Sequence, residues 1–140
     1  MAATEKLSAF LGERRNIVVA GIRRNGEPHL SPNWFYFDGE KFYVSTTRSR
    51  AKYTIFRNNP RGVVIIDDST GFRYVRVSVT VEVRENLPAE LPRFRAIREK
   101  MGVAVPSDSE FVAWLESEGR VLLAMMPDGP PDTWTIRGLD

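Results

Sequence analysis

At 140 residues, with 42% hydrophobic and 27% charged side chains, the chain has the make-up of an ordinary globular protein, long enough to bury about two thirds of the surface its unfolded form exposes. It has no cysteine and one histidine, His29, which excludes disulfides, thiolate nucleophiles, iron–sulfur clusters and Cys- or multi-His metal centres. Twenty basic against eighteen acidic residues leave a formal charge of +2, too small an excess to point to nucleic acid as a partner.

No apolar run approaches the roughly 20 residues needed to span a bilayer. The start Met1-Ala2-Ala3-Thr4-Glu5-Lys6 lacks the basic stretch and apolar core of a signal peptide. A cytoplasmic protein without membrane contact is expected, and in the absence of repeats or a linker, a single domain spanning 1–140.

Residues 4–13 read as a short helix whose apolar face is Leu7, Phe10 and Leu11, a lid for whatever follows. A strand over 16–22, the turn dipeptide Asn25-Gly26 suited to type I′, a strand over 28–37, a second turn at Asp38-Gly39 and a strand over 41–47 predict an antiparallel meander. A helix from about Arg50 to Asn58 ends before Pro60. Strands follow over 61–67 and 72–84, the latter with Val75, Val77, Val79, Val81 and Val83 on one face, which must line a core.

Two helices come next. One carries Leu91, Phe94, Ile97 and Met101 on one side, with Arg93, Arg95, Arg98 and Lys100 as a solvated face; the other opens on a capping box at Ser107 to Glu110. Strands over 120–126 and 133–137 close the chain. The fold class is therefore mainly β, a small barrel of 6–7 antiparallel strands with 3–4 short peripheral helices.

Chemistry concentrates at residues 45–52. Ser45, Thr46, Thr47, Arg48, Ser49, Arg50 and Lys52 sit where a strand ends and a helix begins. Free N–H donors, hydroxyls and cationic heads there suit a phosphate. The same residues equally suit hydroxyl caps on a solvated basic helix. Other pairs favour plain readings. His29 and Ser31 share a strand face with no carboxylate placed to orient the imidazole, and Asp67-Asp68 before Ser69-Thr70-Gly71 reads as a polar turn. Trp114 and Trp134 read as core or interface residues that could also shield a flat ring. No metal site and no catalytic side chain is expected.

Between residues 15 and 85 the chain resembles the split-barrel proteins related to pyridoxamine 5′-phosphate oxidase, in particular the branch that uses the deazaflavin coenzyme F420. The resemblance lies in Asn25-Gly26-Glu27-Pro28-His29-Leu30-Ser31-Pro32-Asn33-Trp34-Phe35, then Ser45 to Thr47, Arg50-Ala51-Lys52 and Asn59-Pro60-Arg61. It implies that Arg50 and Lys52 hold the cofactor phosphate with help from Ser45, Thr46 and Thr47 and, secondarily, Arg48. It also implies that the ring lies against Pro32, Asn33 and Trp34, and that a homodimer places two equivalent sites at its interface. Ile55 stands where members often have Asn, and the region from Leu87 onward matches loosely.

The activity implied is an oxidoreductase passing a hydride between coenzyme F420 and a small conjugated substrate. FMN in the same barrel, acting as a flavin reductase or oxidase, is the alternative. A non-catalytic module for a flavin, haem or other heterocycle is a second, and a barrel binding single-stranded nucleic acid through Trp34, Tyr36 and basic residues a third.

Overall fold

The computed structural model describes residues 2–13 and 15–139. Helix α1 (Ala2–Gly12) leads to β1 (Ile17–Ile22), β2 (Pro28–Asn33), β3 (Tyr36–Phe37) and β4 (Phe42–Thr47). Then come α2 (Ala51–Asn58), β5 (Arg61–Asp67), β6 (Tyr74–Arg84), α3 (Leu87–Lys100), α4 (Asp108–Ser117), β7 (Arg120–Pro127), a 3₁₀ turn (Pro131–Thr133) and β8 (Thr135–Arg137). The mainly β split barrel is thus formed, with eight strands rather than six or seven because the strand read over 28–37 divides into β2 and β3. Among the described residues no helix is long and apolar enough to cross a membrane.

The strands form one antiparallel sheet in the order β2-β1-β5-β6-β7-β4-β3, with β8 pairing the start of β6. The sheet curls, because inward residues from strands far apart in that order meet in one core. Ile17 and Val19 of β1, Val64 and Ile66 of β5, Val75 to Val81 of β6, Phe42 and Val44 of β4, and Leu123 and Met125 of β7 pack together. The valine alternation of β6 does what its sequence requires, with Val75, Val77, Val79 and Val81 buried. Leu7, Phe10 and Leu11 of α1 close one opening as expected.

A second apolar cluster lies outside the barrel. Tyr43, Leu122 and Ala124 face Leu87, Leu91, Phe94 and Ile97 of α3 and Phe111 and Leu115 of α4. Strands β4 and β7 are therefore covered on both sides, which explains the unbroken buried run Val121 to Met125.

The predicted meander over 16–47 is interrupted. β1 pairs β2 and β3 pairs β4, but β2 pairs only β1 among the described strands. Pro28 and Pro32 lack the N–H a second partner would need, and Pro in a sheet is confined to such edges. The β1–β2 turn also differs from type I′: no non-glycine residue has positive φ, and Gly26 alone, at 88°, is left-handed. Bonds from Gly26 N–H to the Arg23 carbonyl and from Arg23 N–H to the Glu27 carbonyl make it a three-residue loop with a glycine bulge. Ser107 precedes α4 as expected, but its side chain makes no capping bond.

Helix α2 seats on a glycine pair. Gly21 and Gly62 are register partners, and a Cβ on Gly21 would lie 2.8 Å from Ile55 Cγ2 and 2.9 Å from Phe56 Cζ. Ile55, the departure from the family pattern, is buried packing for this seat.

The basic side of α3 is not simply solvated. Arg93 lies over Tyr43 (5.6 Å), Arg95 over Phe111 (5.7 Å) and Arg98 over Trp114 (5.0 Å). Lys100 Nζ donates to the Leu11 carbonyl (2.8 Å) and sits 3.4 Å from the Phe35 ring centre, tying α3 to α1. Burial, with the Arg15 charge nearby, pulls its pKa down from 10.5 to about 8. The folded state then holds fewer protons than the unfolded one between those values, so this residue's contribution to stability improves as pH rises through that window. In urea unfolding, the free-energy difference between wild type and Lys100→Met should shift toward wild type from pH 7 to pH 10. A difference that does not move with pH would contradict the burial of this ammonium.

Candidate functional site

The site is built where the sheet breaks. Between β4 and α2, Arg48 N–H bonds the Gly119 carbonyl and Arg50 N–H the Thr47 carbonyl, giving a tight corner. Arg50 is the N-cap, in extended geometry (φ −90°, ψ 153°), with no side-chain capping bond. Ser49 and Thr47 instead join hydroxyls at 3.0 Å. The hydroxyl-cap reading of this segment is therefore not the arrangement found, and the first turn of α2 offers N–H donors without a capping side chain.

Beside this corner lies a cleft of about 490 Å³, within the ordinary range for small-molecule sites. The sheet break contributes Pro32, Asn33 and Trp34, β4 contributes Ser45, and Arg50 enters from the α2 cap. These are five of the nine residues singled out from sequence as cofactor-binding.

The other four lie outside its lining. Thr46 shares the inward side of Phe42 and Val44, is fully buried, and its Oγ1 has no partner among the described residues. Thr47 is buried against Ser49. Arg48 turns to Glu85 (3.0 Å), which also accepts a bond from the Tyr53 hydroxyl (3.1 Å). Lys52 is 4% exposed and donates from Nζ to Ser31 Oγ at 2.9 Å, fastening α2 to the edge strand β2. Burial, reinforced by the Arg50 charge, lowers the Lys52 pKa.

Helices α3 and α4 and strand β7 supply the opposite wall. Phe94 and Arg98, one helical turn apart, face the cleft with Phe111, Trp114 and Arg120. Trp114 stacks on Phe111 (6.1 Å between centres, 14° between planes) and has the guanidinium carbons of Arg98 and Arg120 at 5.0 and 5.4 Å. Arg120 reaches Ser45 Oγ (3.4 Å) and Glu118 (3.2 Å), while its buried Nε has no partner among the described residues.

Sequence reasoning missed Arg98 and Arg120. One clue was available for Arg98: it lies four residues after the buried Phe94, on the margin of the helix's apolar stripe. For Arg120, placement beside Ser45 depends on the β4–β7 register, in which Thr47 pairs Arg120.

Three guanidiniums line the cleft, Arg50 from the α2 cap and Arg98 and Arg120 from the opposite wall, and among the described residues no Asp or Glu lines it. Apolar aromatic walls of low dielectric beside three cations, of which only Arg120 has an acidic partner (Glu118) among the described residues, concentrate positive potential, so the cleft suits a flat molecule carrying negative charge.

The remaining candidates have structural explanations. Ser31 Oγ is engaged by Lys52 and is not poised against His29 as a nucleophile. Burial and the charges of Arg23 and Lys52 keep His29 below its usual pKa. Asp68 Oδ1 accepts bonds from Thr70 N–H, Thr70 Oγ1 and Gly71 N–H, the polar turn expected. Trp134 packs on Phe37 and Phe42 away from the cleft.

Residues 3–132 match the pyridoxamine 5′-phosphate oxidase family. The chain belongs to that family. Solved structures agree in fold. A protein titled F420 reductase superposes with a TM-score of 0.69 at 21% identity, covering 87% of this chain and 93% of its own. A putative pyridoxamine 5′-phosphate oxidase from Listeria innocua gives 0.70 at 20%, covering 94% and 95%. HutZ, a haem storage protein from Vibrio cholerae, gives 0.76 at 16%, covering 99% and 96%. This family member thus shares its scaffold with proteins of different ligands, and the cleft has to carry the functional argument.

The Lys52–Ser31 bond makes a direct prediction. Ser31→Ala leaves a buried ammonium without this acceptor and should cost about 1–3 kcal/mol of unfolding free energy. Lys52→Met in the Ser31→Ala background should recover part of the loss, and strictly additive effects in that double-mutant cycle would contradict the contact.

Proposed function

We propose that this family member is an oxidoreductase that binds coenzyme F420, with Arg50 and the first turn of α2 holding the phosphate end and Pro32, Asn33 and Trp34 receiving the ring. The carrying observation is the cleft of about 490 Å³ in which Arg50, Arg98 and Arg120 face aromatic walls with no carboxylate in the lining. The donor set fits: the Arg50 guanidinium and the backbone N–H groups of the first turn of α2 match phosphate oxygens.

When bound, such a cofactor supplies the hydride chemistry, so no ionisable catalytic side chain is needed. The chain's part is to orient and to exclude water. Lys52 serves by holding β2 against α2, which sets the spacing between Asn33 and Arg50. FMN offers the same phosphate and a similar ring, and the neighbouring F420 reductase favours the deazaflavin only as a shared fold. A haem reading has less support, since His29, the chain's one imidazole, lies outside the cleft lining.

A homodimer completes the proposal. Leu30, Ala20 and Val63 form a cross-strand row on the outer sheet face, Leu30 being 61% exposed, and Ile22 and Pro28 pair beside it. Pro32, which lines the cleft, shares the side of Leu30 on β2, so a second copy seated there would wall the site. Light scattering should give about twice 15.9 kDa for wild type and the single-chain mass for Leu30→Glu; a monomeric wild type would contradict this arrangement.

For the cofactor, Arg50→Gln should weaken F420 or FMN binding by about 1.5–3 kcal/mol in a fluorescence titration and flatten its salt dependence. Arg48→Gln, whose partner is Glu85, should leave affinity within about twofold by the same reasoning, because it gives up only an exposed ion pair. Unchanged affinity in Arg50→Gln would overturn the phosphate assignment.

A further inference from the structure

The wall formed by α3, α4 and β7 points to a requirement on the second molecule in the cleft, the one that exchanges a hydride with the cofactor. We infer that Arg98 and Trp114 select a planar conjugated acid, its carboxylate on Arg98 and its flat face on Trp114. This rests on the reading above that Arg50 and the sheet break serve the cofactor, because it assigns the opposite wall to a different ligand.

Four observations carry it. Arg98 makes no ion pair among the described residues and lines the cleft, although nearby Arg93 and Arg95 on the same helix are paired with Glu90 and Asp108. Its charge is therefore available where its neighbours' charges are spent on structure. Trp114 lines the cleft and is 37% exposed, with Phe111 stacked against it and the Arg98 and Arg120 guanidiniums over its ring, so the accessible part of the indole lies next to the charge that would hold a carboxylate. Arg120, at 5.4 Å from Trp114, adds positive charge while staying fixed to Ser45 and Glu118. Finally, Arg50 enters from the α2 cap and Arg98 from α3, so the two unpaired cations stand on different walls of the cleft rather than forming one cluster.

The chemistry follows from these placements. A guanidinium recognises a carboxylate through two parallel N–H bonds and fixes its plane. An indole face stacks on a conjugated system and attracts cations rather than anions, so any preference for an acid has to come from Arg98. Together they discriminate an acid from its neutral amide through Arg98, and a flat molecule from a bulky one through Trp114.

Calorimetric titration of the full chain with naphthoate and with its neutral isostere naphthamide tests the inference. Naphthoate should bind about tenfold more tightly or better. Arg98→Gln should erase that preference, and Arg98→Lys should restore part of it, which a merely misfolded variant would not do. Trp114→Leu should weaken both probes alike and keep their ratio. Arg50→Gln should leave the preference in place even as it weakens F420 or FMN binding, so failure of the cofactor reading and failure of this one are seen separately. Equal affinity for the two probes, no binding of either, or a preference that survives Arg98→Gln but disappears in Arg50→Gln overturns the inference.

Discussion

Strand β2 can be paired on one side only. Pro28 and Pro32 remove two backbone donors from its six residues, and a sheet that would otherwise close must end there. Its neighbour in sequence, β3, therefore joins β4 at the far end of the sheet, and Trp34 and Phe35 bridge the gap between them. An open edge next to a covered sheet face leaves a cleft. The Lys52 ammonium, buried on Ser31, keeps that edge from drifting by tying it to α2. Because α2 itself rests on Gly21 and Gly62, with no room for a Cβ, the corner carrying Arg50 is held from both sides.

The electrostatics follow from this architecture. Most basic side chains near the site have structural partners: Arg48 with Glu85, Arg120 with Glu118, Arg93 with Glu90, Arg95 with Asp108. Arg50 and Arg98 do not, among the described residues, and both line the cleft. Arg50 is exposed at the α2 cap and Arg98 is half-buried over Trp114, so both keep their charge where a ligand can reach it. An anionic ligand gains from that charge directly, and the charge pattern therefore carries more weight than the shared fold.

Legibility in the sequence tracked the range of the interaction. The valines of β6, the apolar face of α1 and the helix ending before Pro60 are local patterns, and each appears as read. Turn chemistry was legible in place but not in kind, since Asn25 does not take the positive φ that type I′ needs. The motif from Ser45 to Lys52 was visible as a cluster, yet sequence order could not say which of its members share a direction. Side-chain alternation along β4 sends Ser45 to the cleft and Thr46 to the core, and the turn sends Arg48 to Glu85. Arg120 enters through the β4–β7 register, more than seventy positions away, which no local pattern encodes, whereas Arg98 had only its place four residues after Phe94 to mark it. The basic face of α3 illustrates the same limit, since its solvated look in sequence ignored Tyr43, Phe111 and Trp114 beneath it.

We place a phosphate-bearing flavin-type cofactor at the break in the barrel. A crystal structure of the chain with F420 or FMN tests it most directly. Density for the phosphate should lie within hydrogen-bond distance of Arg50 and the start of α2, with the ring system against Pro32, Asn33 and Trp34. A cofactor lying outside this cleft, or one whose phosphate is bound by Arg23, Arg24 or Arg48 on the outer surface, would contradict it.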